Sequence, residues 1–158
     1  MSEVNLAQFL ANRLRAAGNA LYTACEKMPD DRLTWHPVTE GNQGRDALDQ
    51  LVECGYLNAW AANAFRAGSL PAFDDNDYKK QKDAHRNRQA ALKWLQDGTS
   101  ALADAVAAFP ANKFGDTITN PFTGKPATWA EFADFFYWNT VYHEGQVNYT
   151  QVLYGDMS

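Results

Sequence analysis

Apolar residues recur at intervals of three and four along four stretches of the chain, which is the spacing of one face of an α-helix. The predicted helices span residues 5–28, 45–66, 77–109 and 129–154. The connections between them cover 29–43, 69–76 and 110–127, and two of these are long for a helical bundle. No stretch shows the alternation typical of a strand. We therefore predict an all-α protein, a four-helix bundle with long connections whose topology need not be simple up-and-down.

Local signals indicate where these helices begin and end. Pro29 ends the first helix because proline cannot continue the hydrogen-bond ladder, and Gly68 is a stop for the second. Thr128 and Glu131 have the spacing of a capping box at the start of the last helix. Gly98 lies within the third predicted helix, where glycine costs about 1 kcal/mol relative to alanine, so it indicates a bend or close packing.

The last helix carries the most informative pattern. Its inward stripe consists of Trp129, Phe132, Phe136, Asn139, His143, Val147, Thr150 and Tyr154. Asn139 and His143 are one turn apart in this otherwise apolar and aromatic seam. Because a buried polar group without a hydrogen-bond partner costs about 1–3 kcal/mol, the pattern predicts partners for both.

Composition limits the class of protein. With 158 residues, 46% of them hydrophobic, the chain can bury a full core, and we expect a single domain over 1–158. The net charge of −5 argues against a nucleic-acid partner, because such proteins concentrate basic residues on one face. One basic cluster alternates with aspartates and is predicted to be a solvated helix start; it consists of Lys79, Lys80, Lys82, Arg86 and Arg88.

Targeting and redox signals are few. The chain begins Met-Ser-Glu without the features of a signal peptide, and no apolar run approaches the roughly 20 residues of a membrane span. We therefore predict a cytoplasmic protein with no membrane partner. Cys25 and Cys54 lack a Cys-x-x-Cys spacing and are expected to be reduced core thiols. His36 is predicted to be an exposed loop residue and His85 to face solvent.

The segment around His143 resembles the last helix of the DinB-like (DinB/YfiT) superfamily. In that family a histidine, three residues, a second histidine, one residue and Gly-Gln precede an apolar run that closes at glycine. Here His143 matches the second histidine, followed by Gly145-Gln146 and the closing Gly155. Asn139 stands at the position of the first histidine. The resemblance extends to the first long connection, where a Leu-x-Trp-x-Pro motif is matched by Leu33, Trp35 and Pro37.

This resemblance implies a divalent metal held by one ligand from the second helix and two from the last, with an open position as in catalytic sites. Relatives include thiol-dependent transferases and proteins assigned as metal-dependent hydrolases. The corresponding residues here are Glu53, Asn139 and His143. Because a neutral amide oxygen is a poor ligand for zinc or nickel, we expect such a metal to be bound weakly or not at all.

Two functions therefore stay open, and the sequence does not decide whether the protein is an enzyme. In the first, it is a metal-dependent hydrolase or thiol-dependent transferase with a degenerate site, and Asn139 is a weak ligand or orients one. In the second, it is a non-catalytic bundle that binds a small molecule or pairs with itself. Glu53, Asn139 and His143 then form a buried hydrogen-bonded cluster, in which Glu53 and His143 are also a candidate acid–base couple.

Four further residues are candidates for contact with a ligand or with this cluster: Gln146, Trp60, Tyr142 and Phe136. An open cavity bounded by these three aromatic residues beside His143 would favour a ligand site, and a filled space would favour a structural role. Aromatic residues also flank the inward stripe of the last helix, at positions 135, 137 and 138. They predict a second apolar face and a homodimer, as the resemblance also implies.

Overall fold

The computed structural model describes residues 5–156, apart from the side chains at positions 39, 42 and 43. In chain order the elements are α1 (Leu6–Glu26), α2 (Asp30–Leu33), β1 (Val38–Thr39), β2 (Asn42–Gln43), α3 (Ala47–Ala67), α4 (Asp75–Ala84), α5 (Arg88–Ala107), a 3-10 helix (Ala111–Lys113), β3 (Thr117–Thr119), β4 (Pro126–Thr128) and α6 (Trp129–Leu153). The predicted all-α four-helix bundle is confirmed, with α1, α3, α5 and α6 as its long helices. Within the described residues, no helix is long and apolar enough to cross a membrane. The first residues, used above for the signal-peptide argument, lie outside them.

The long connections run diagonally across the bundle. Helix α3 packs chiefly against α5 and α6, and α1 packs against the same two helices. The order around the bundle is therefore α1, α5, α3, α6. The segment from α1 to α3 and the segment from α5 to α6 each join helices on opposite corners, which explains why these two connections are long and why the topology is not simple up-and-down.

Side-chain caps fix the helix starts. Thr128 accepts from the backbone of Glu131, and the Glu131 carboxylate reaches back to Thr128, so the predicted capping box is confirmed. Gly68 ends α3 in the left-handed conformation, with φ of +63°. Leu33 is buried, and Trp35 packs edge-to-face on Tyr154 with ring centroids 5.8 Å apart. The first connection is thereby held against the bundle.

The predicted continuous third helix is wrong. The chain instead forms α4 and α5, separated by residues 85–87. The side chain of Asn87 accepts a hydrogen bond from the backbone N–H of Ala90 and caps α5, while the N–H of His85 closes α4 on the carbonyl of Gln81. Asparagine is among the best N-cap residues, so this break was readable from the sequence.

The expectation of no strands is also wrong. Strands β1 and β2 pair antiparallel around Gly41, and β3 pairs with β4 on either side of Gly124. Both glycines have positive φ, which tight reversals require. Each strand has only two or three residues, too few for an alternating pattern to be visible in the sequence.

Two glycines allow α3 and α5 to cross at close range. A Cβ added at Gly98 would overlap the carbonyl oxygen of Gly55, and one added at Gly55 would lie 2.9 Å from the backbone carbonyl of Trp94. Gly98 therefore provides close packing, one of the two roles predicted for it. The contact fixes the register of α3 against α5.

We expect Gly98→Ala to lower the free energy of unfolding by about 1–3 kcal/mol, because overpacking at the crossing outweighs the gain in helix propensity. The matched control is Gly145→Ala in α6, where an added Cβ meets no atom within 4 Å. That substitution should raise the free energy of unfolding by roughly 0.5–1 kcal/mol. Urea denaturation followed by circular dichroism measures both, and a stabilising Gly98→Ala would contradict the close crossing.

Candidate functional site

Glu53 on α3 and His143 on α6 meet inside the bundle. His143 is 2% exposed, and its Nε2 lies 3.0 Å from Oε1 of Glu53. An ionised carboxylate can only accept, so Nε2 donates this hydrogen bond. The structure thus brings together two of the three predicted site residues, which are 90 positions apart in the chain.

The other ring nitrogen of His143 contacts two glutamines. Nδ1 lies 3.1 Å from Oε1 of Gln50 on α3 and 3.1 Å from Oε1 of Gln146 on α6. Gln146 was a predicted site residue, whereas Gln50 was missed. A signal for Gln50 exists, because it precedes Glu53 by three residues and so lies on the same face of the helix. His143 is held from both sides.

Arg45 supplies the positive charge next to Glu53. Its guanidinium lies 2.6 Å from Oε2 of Glu53 and 2.5 Å from Oδ2 of Asp49. Burial alone would raise the pKa of Glu53, but the hydrogen bond from His143 and the charge of Arg45 outweigh it and hold that pKa below its usual value. Both carboxylate oxygens of Glu53 are thus engaged. Asp49 and Glu53 lie four residues apart on one face of α3, a spacing that was readable from the sequence.

Basic residues at and beyond the end of α4 complete this ionic network. Lys82 pairs with Asp49, which is buried, and Arg86 pairs with Asp46, the N-cap of α3. Arg88 donates to backbone carbonyls at the end of α1, including that of Glu26 at 2.7 Å. The prediction that this basic cluster is a solvated helix start is therefore wrong for these three residues, because the break before α5 turns them toward α1 and α3.

Tyr78 on α4 is a further residue that sequence reasoning missed. Its ring packs on Tyr56 with centroids 5.0 Å apart. Burial and then the negative charges of Glu53 and Asp49 raise the pKa of the Tyr78 phenol, which keeps it protonated at neutral pH. Helix α4 therefore covers the carboxylates with a neutral aromatic side chain as well as with cations.

Asn139 is buried one turn before His143 but does not join the network. Its Nδ2 has no hydrogen-bond partner among the residues the structure describes. Donor and acceptor ends of an asparagine amide can be exchanged, so the finding is one unsatisfied amide atom at this position. The partner predicted for Asn139 is not provided by the described side chains.

The donor set does not fit a catalytic metal. Nε2 of His143 and Oε1 of Glu53 bond to each other, and the second oxygen of Glu53 is held by Arg45. A cation placed between the pair would displace both interactions and meet the guanidinium at close range. Within residues 5–156, no three His, Cys, Asp or Glu side chains are grouped to hold a metal ion. Glu53, Asn139 and His143 as metal ligands stay a prediction.

The predicted aromatic contacts lie apart from one another. Phe136 is fully buried among Phe122, Phe132 and Phe135. Trp60 packs against Phe132 and lines a pocket between α3, α4 and α5, of which neither Glu53 nor His143 is a lining residue. Tyr142 is 49% exposed, and its ring is in an edge-to-face arrangement with that of His143, with the ring centroids 5.5 Å apart. Their roles in binding a ligand stay predictions.

The other two histidines are separate from this network. His85 was predicted to face solvent, which is wrong, because its ring lies 4.1 Å from that of Trp94 and Nδ1 is 2.8 Å from the carbonyl oxygen of Gln81. His36 lies in the loop after α2, with Nδ1 3.2 Å from the carbonyl oxygen of Thr34. Cys25 and Cys54 are buried free thiols, as predicted.

A groove of about 280 Å³ reaches the network from outside. Gln50 and Gln146 form part of its wall, together with Arg45. The apolar side is provided by Tyr149 and Leu153 of α6. A molecule in this groove would touch both glutamines that contact His143.

The ion pairs predict how stability depends on pH. Since the pKa of Glu53 is lowered on folding, its contribution is complete above its ordinary pKa of about 4.3 and is lost as the pH falls through the lowered value. We expect Glu53→Gln to destabilise the fold by about 1–3 kcal/mol at pH 7 and by much less at pH 3. Urea denaturation between pH 3 and pH 7 measures the difference. Glu40→Gln, in the exposed turn between β1 and β2, is the control; parallel pH profiles for Glu53→Gln and the wild type would contradict the pairing.

Comparison with solved structures identifies the fold. YfiT from Bacillus subtilis, described as a probable metal-dependent hydrolase with an unusual four-helix bundle topology, matches with a TM-score of 0.75 and 15% identity over 98% of this chain and 92% of YfiT. The colibactin self-resistance protein ClbS, solved in complex with a double-stranded DNA, matches with a TM-score of 0.63 and 13% identity over 92% of this chain and 95% of ClbS.

Sequence comparisons do not extend these structural matches. No protein-family model matches the chain, and no curated protein matches it either. At such low identity the two structures establish the architecture alone. The chain therefore has the DinB/YfiT-like fold that its last helix predicted.

Proposed function

We propose that this chain is a small-molecule-binding protein in which the Glu53–His143 pair serves without a metal ion. The observation that carries the proposal is the arrangement of His143, with Nε2 on Glu53 and Nδ1 on two glutamines that line an open groove. The groove connects the surface to the buried pair. A ligand bound there exchanges hydrogen bonds with the amides that orient the imidazole.

The chemistry of the groove favours a neutral molecule with both polar and apolar parts. Arg45 is the charged side chain of the lining, and its guanidinium is already paired with Glu53 and Asp49. The amides of Gln50 and Gln146 can each donate and accept, which suits an amide, alcohol or carbonyl group. Tyr149 and Leu153 offer apolar surface for the rest of the ligand.

A metal-dependent hydrolase or thiol-dependent transferase is the second candidate. It is favoured by the match to YfiT, described as a probable metal-dependent hydrolase. It is also favoured by a carboxylate and an imidazole at two of the three predicted ligand positions. The pairing of Glu53 with Arg45 weighs against it, because a metal would compete with a guanidinium that is already in place.

The proposal also includes a protein partner, a second copy of this chain. The predicted homodimer is supported by an exposed apolar stripe on α6, which consists of Trp138, Val141, Tyr142, Tyr149, Val152 and Leu153. Of the three flanking residues named from the sequence, Trp138 is exposed, whereas Phe135 stacks on Phe122 and Tyr137 lies under Arg13. Light scattering at micromolar concentration determines the oligomeric state.

Nucleic-acid binding, location and domain number stay predictions. ClbS has been solved in complex with a double-stranded DNA, so this fold by itself does not argue against DNA. The expectation of no nucleic-acid partner rests on the net charge of −5. The cytoplasmic location and the single domain likewise rest on the sequence.

The first experiment compares metal binding by the tag-free protein and its variants. We expect wild-type protein to bind zinc and nickel weakly by calorimetry, and Asn139→His combined with Glu53→His to gain at least about a hundredfold in affinity, since imidazole replaces an amide and a paired carboxylate. His85→Gln is the control, because His85 lies outside the network. Tight metal binding by the wild type that is lost in His143→Ala would overturn the proposal in favour of the hydrolase.

The second experiment tests the groove. We expect small amides and alcohols to shift the NMR signals of the Gln50 and Gln146 side-chain amides and of the His143 ring. Leu153→Arg should weaken this binding about tenfold or more by filling the apolar side of the groove with charge. Val152→Arg, on the same exposed face but outside the lining, is the matched control. Shifts confined to other parts of the bundle would contradict the assignment.

A further inference from the structure

We propose that a second pocket, formed by α3, α4 and α5, binds a compact organic cation such as a quaternary ammonium group. The pocket has a volume of about 360 Å³, which is the lower end of the range for small-molecule sites. It shares no lining residue with the groove described above. The inference therefore goes beyond the proposed function and stands or falls separately from it.

Aromatic side chains form the walls of this pocket. Tyr56 and Trp60 come from α3, and Trp94 comes from α5. Faces of aromatic rings attract cations, and tryptophan does so most strongly. Each ring is held in place by a neighbour: His85 stacks on Trp94, and Phe73 packs on both Tyr56 and Trp60. The walls are thus fixed before a ligand arrives, which lowers the entropic cost of binding.

Carboxylates form the rim. Asp77 accepts one hydrogen bond from the hydroxyl of Tyr56 and one from the amide of Gln81, both at 3.1 Å. Both donors are neutral, so they orient the carboxylate without cancelling its charge. Asp74, also on the rim, accepts from backbone N–H groups at the start of α4. Within the described residues, neither carboxylate has a Lys, Arg or His nitrogen within ion-pair distance.

The charge balance excludes an anion and favours a cation. Two carboxylates and no basic residue line the pocket. Lys82, the inward-facing lysine of α4, is used by Asp49 on the other side of the helix. Burial and then the nearby Asp77 raise the pKa of Tyr56 to about 12, so its hydroxyl stays protonated and keeps donating to Asp77. The pocket therefore combines two carboxylates and no basic side chain with three aromatic side chains in its lining.

Choline and its neutral isostere 3,3-dimethylbutan-1-ol test this assignment, because they share shape and differ in charge. We expect choline to shift the indole N–H signals of Trp60 and Trp94 in NMR titrations, and the neutral alcohol to bind at least about tenfold more weakly. Equal affinity for the two compounds would overturn the proposal. So would the absence of saturable shifts at these indoles up to about 50 mM choline, an affinity too weak to count as a site.

Substitutions at three aspartates test which carboxylates attract the cation. Asp77→Asn should weaken choline binding about fivefold or more. Asp74→Asn removes the second charge and keeps a good N-cap residue, so α4 stays folded while affinity falls in the same direction. Asp75→Asn removes an equal charge from the same helix turn but outside the lining, and it should change the affinity less than twofold. A loss as large for Asp75→Asn as for Asp77→Asn, or no loss in either rim variant, would overturn the proposal.

Discussion

The burial of Glu53 is the constraint on which the rest of this structure depends. A carboxylate that is four-fifths buried must be paired, since an unpaired buried charge is among the most costly features a fold can contain. Two segments supply its partners: His143 from α6, and Arg45 from the residues just before α3. Pairing one side chain on α3 therefore fixes the rotation of α6 against α3.

The helical seams could be predicted because they obey one rule, the burial of apolar residues at helical spacing. The same seam identified Asn139 and His143 as anomalies, and the family resemblance added Glu53 as the third candidate. The polar contacts of the site could not be predicted in this way, because they depend on which groups the long polar side chains reach once the helices are packed together. The sequence alone suggests a solvent-facing Lys82, but the helix breaks at Asn87 and Lys82 pairs with Asp49. Likewise, nothing near Gln50 in the sequence shows that it contacts His143, which is 93 residues further along the chain.

The residues of this site differ from the ligand set that the family resemblance implies. In this chain an amide stands where the resemblance implies an imidazole, and a carboxylate where it implies another. The guanidinium of Arg45 supplies, next to Glu53, the positive charge that a divalent ion would otherwise supply. A fold can accommodate such an exchange because the buried charge of Glu53 needs a partner, and a cation of either kind can provide one.

Helix α4 has no fully buried residue, and its contacts with α3 include the ion pair of Lys82 with Asp49, the hydrogen bond from Tyr56 to Asp77 and the packing of Tyr78 on Tyr56. Few buried contacts are typical of segments with a low local free energy of unfolding, so we expect α4 to open more readily than the long helices. Ionic strength adjusts this equilibrium, since screening weakens the pair between Lys82 and Asp49. On this basis the amide hydrogens of α4 are expected to exchange with solvent ahead of those in α3. The break at Asn87 thus separates the long helices from a short cover, and opening of that cover would expose Asp49 to water.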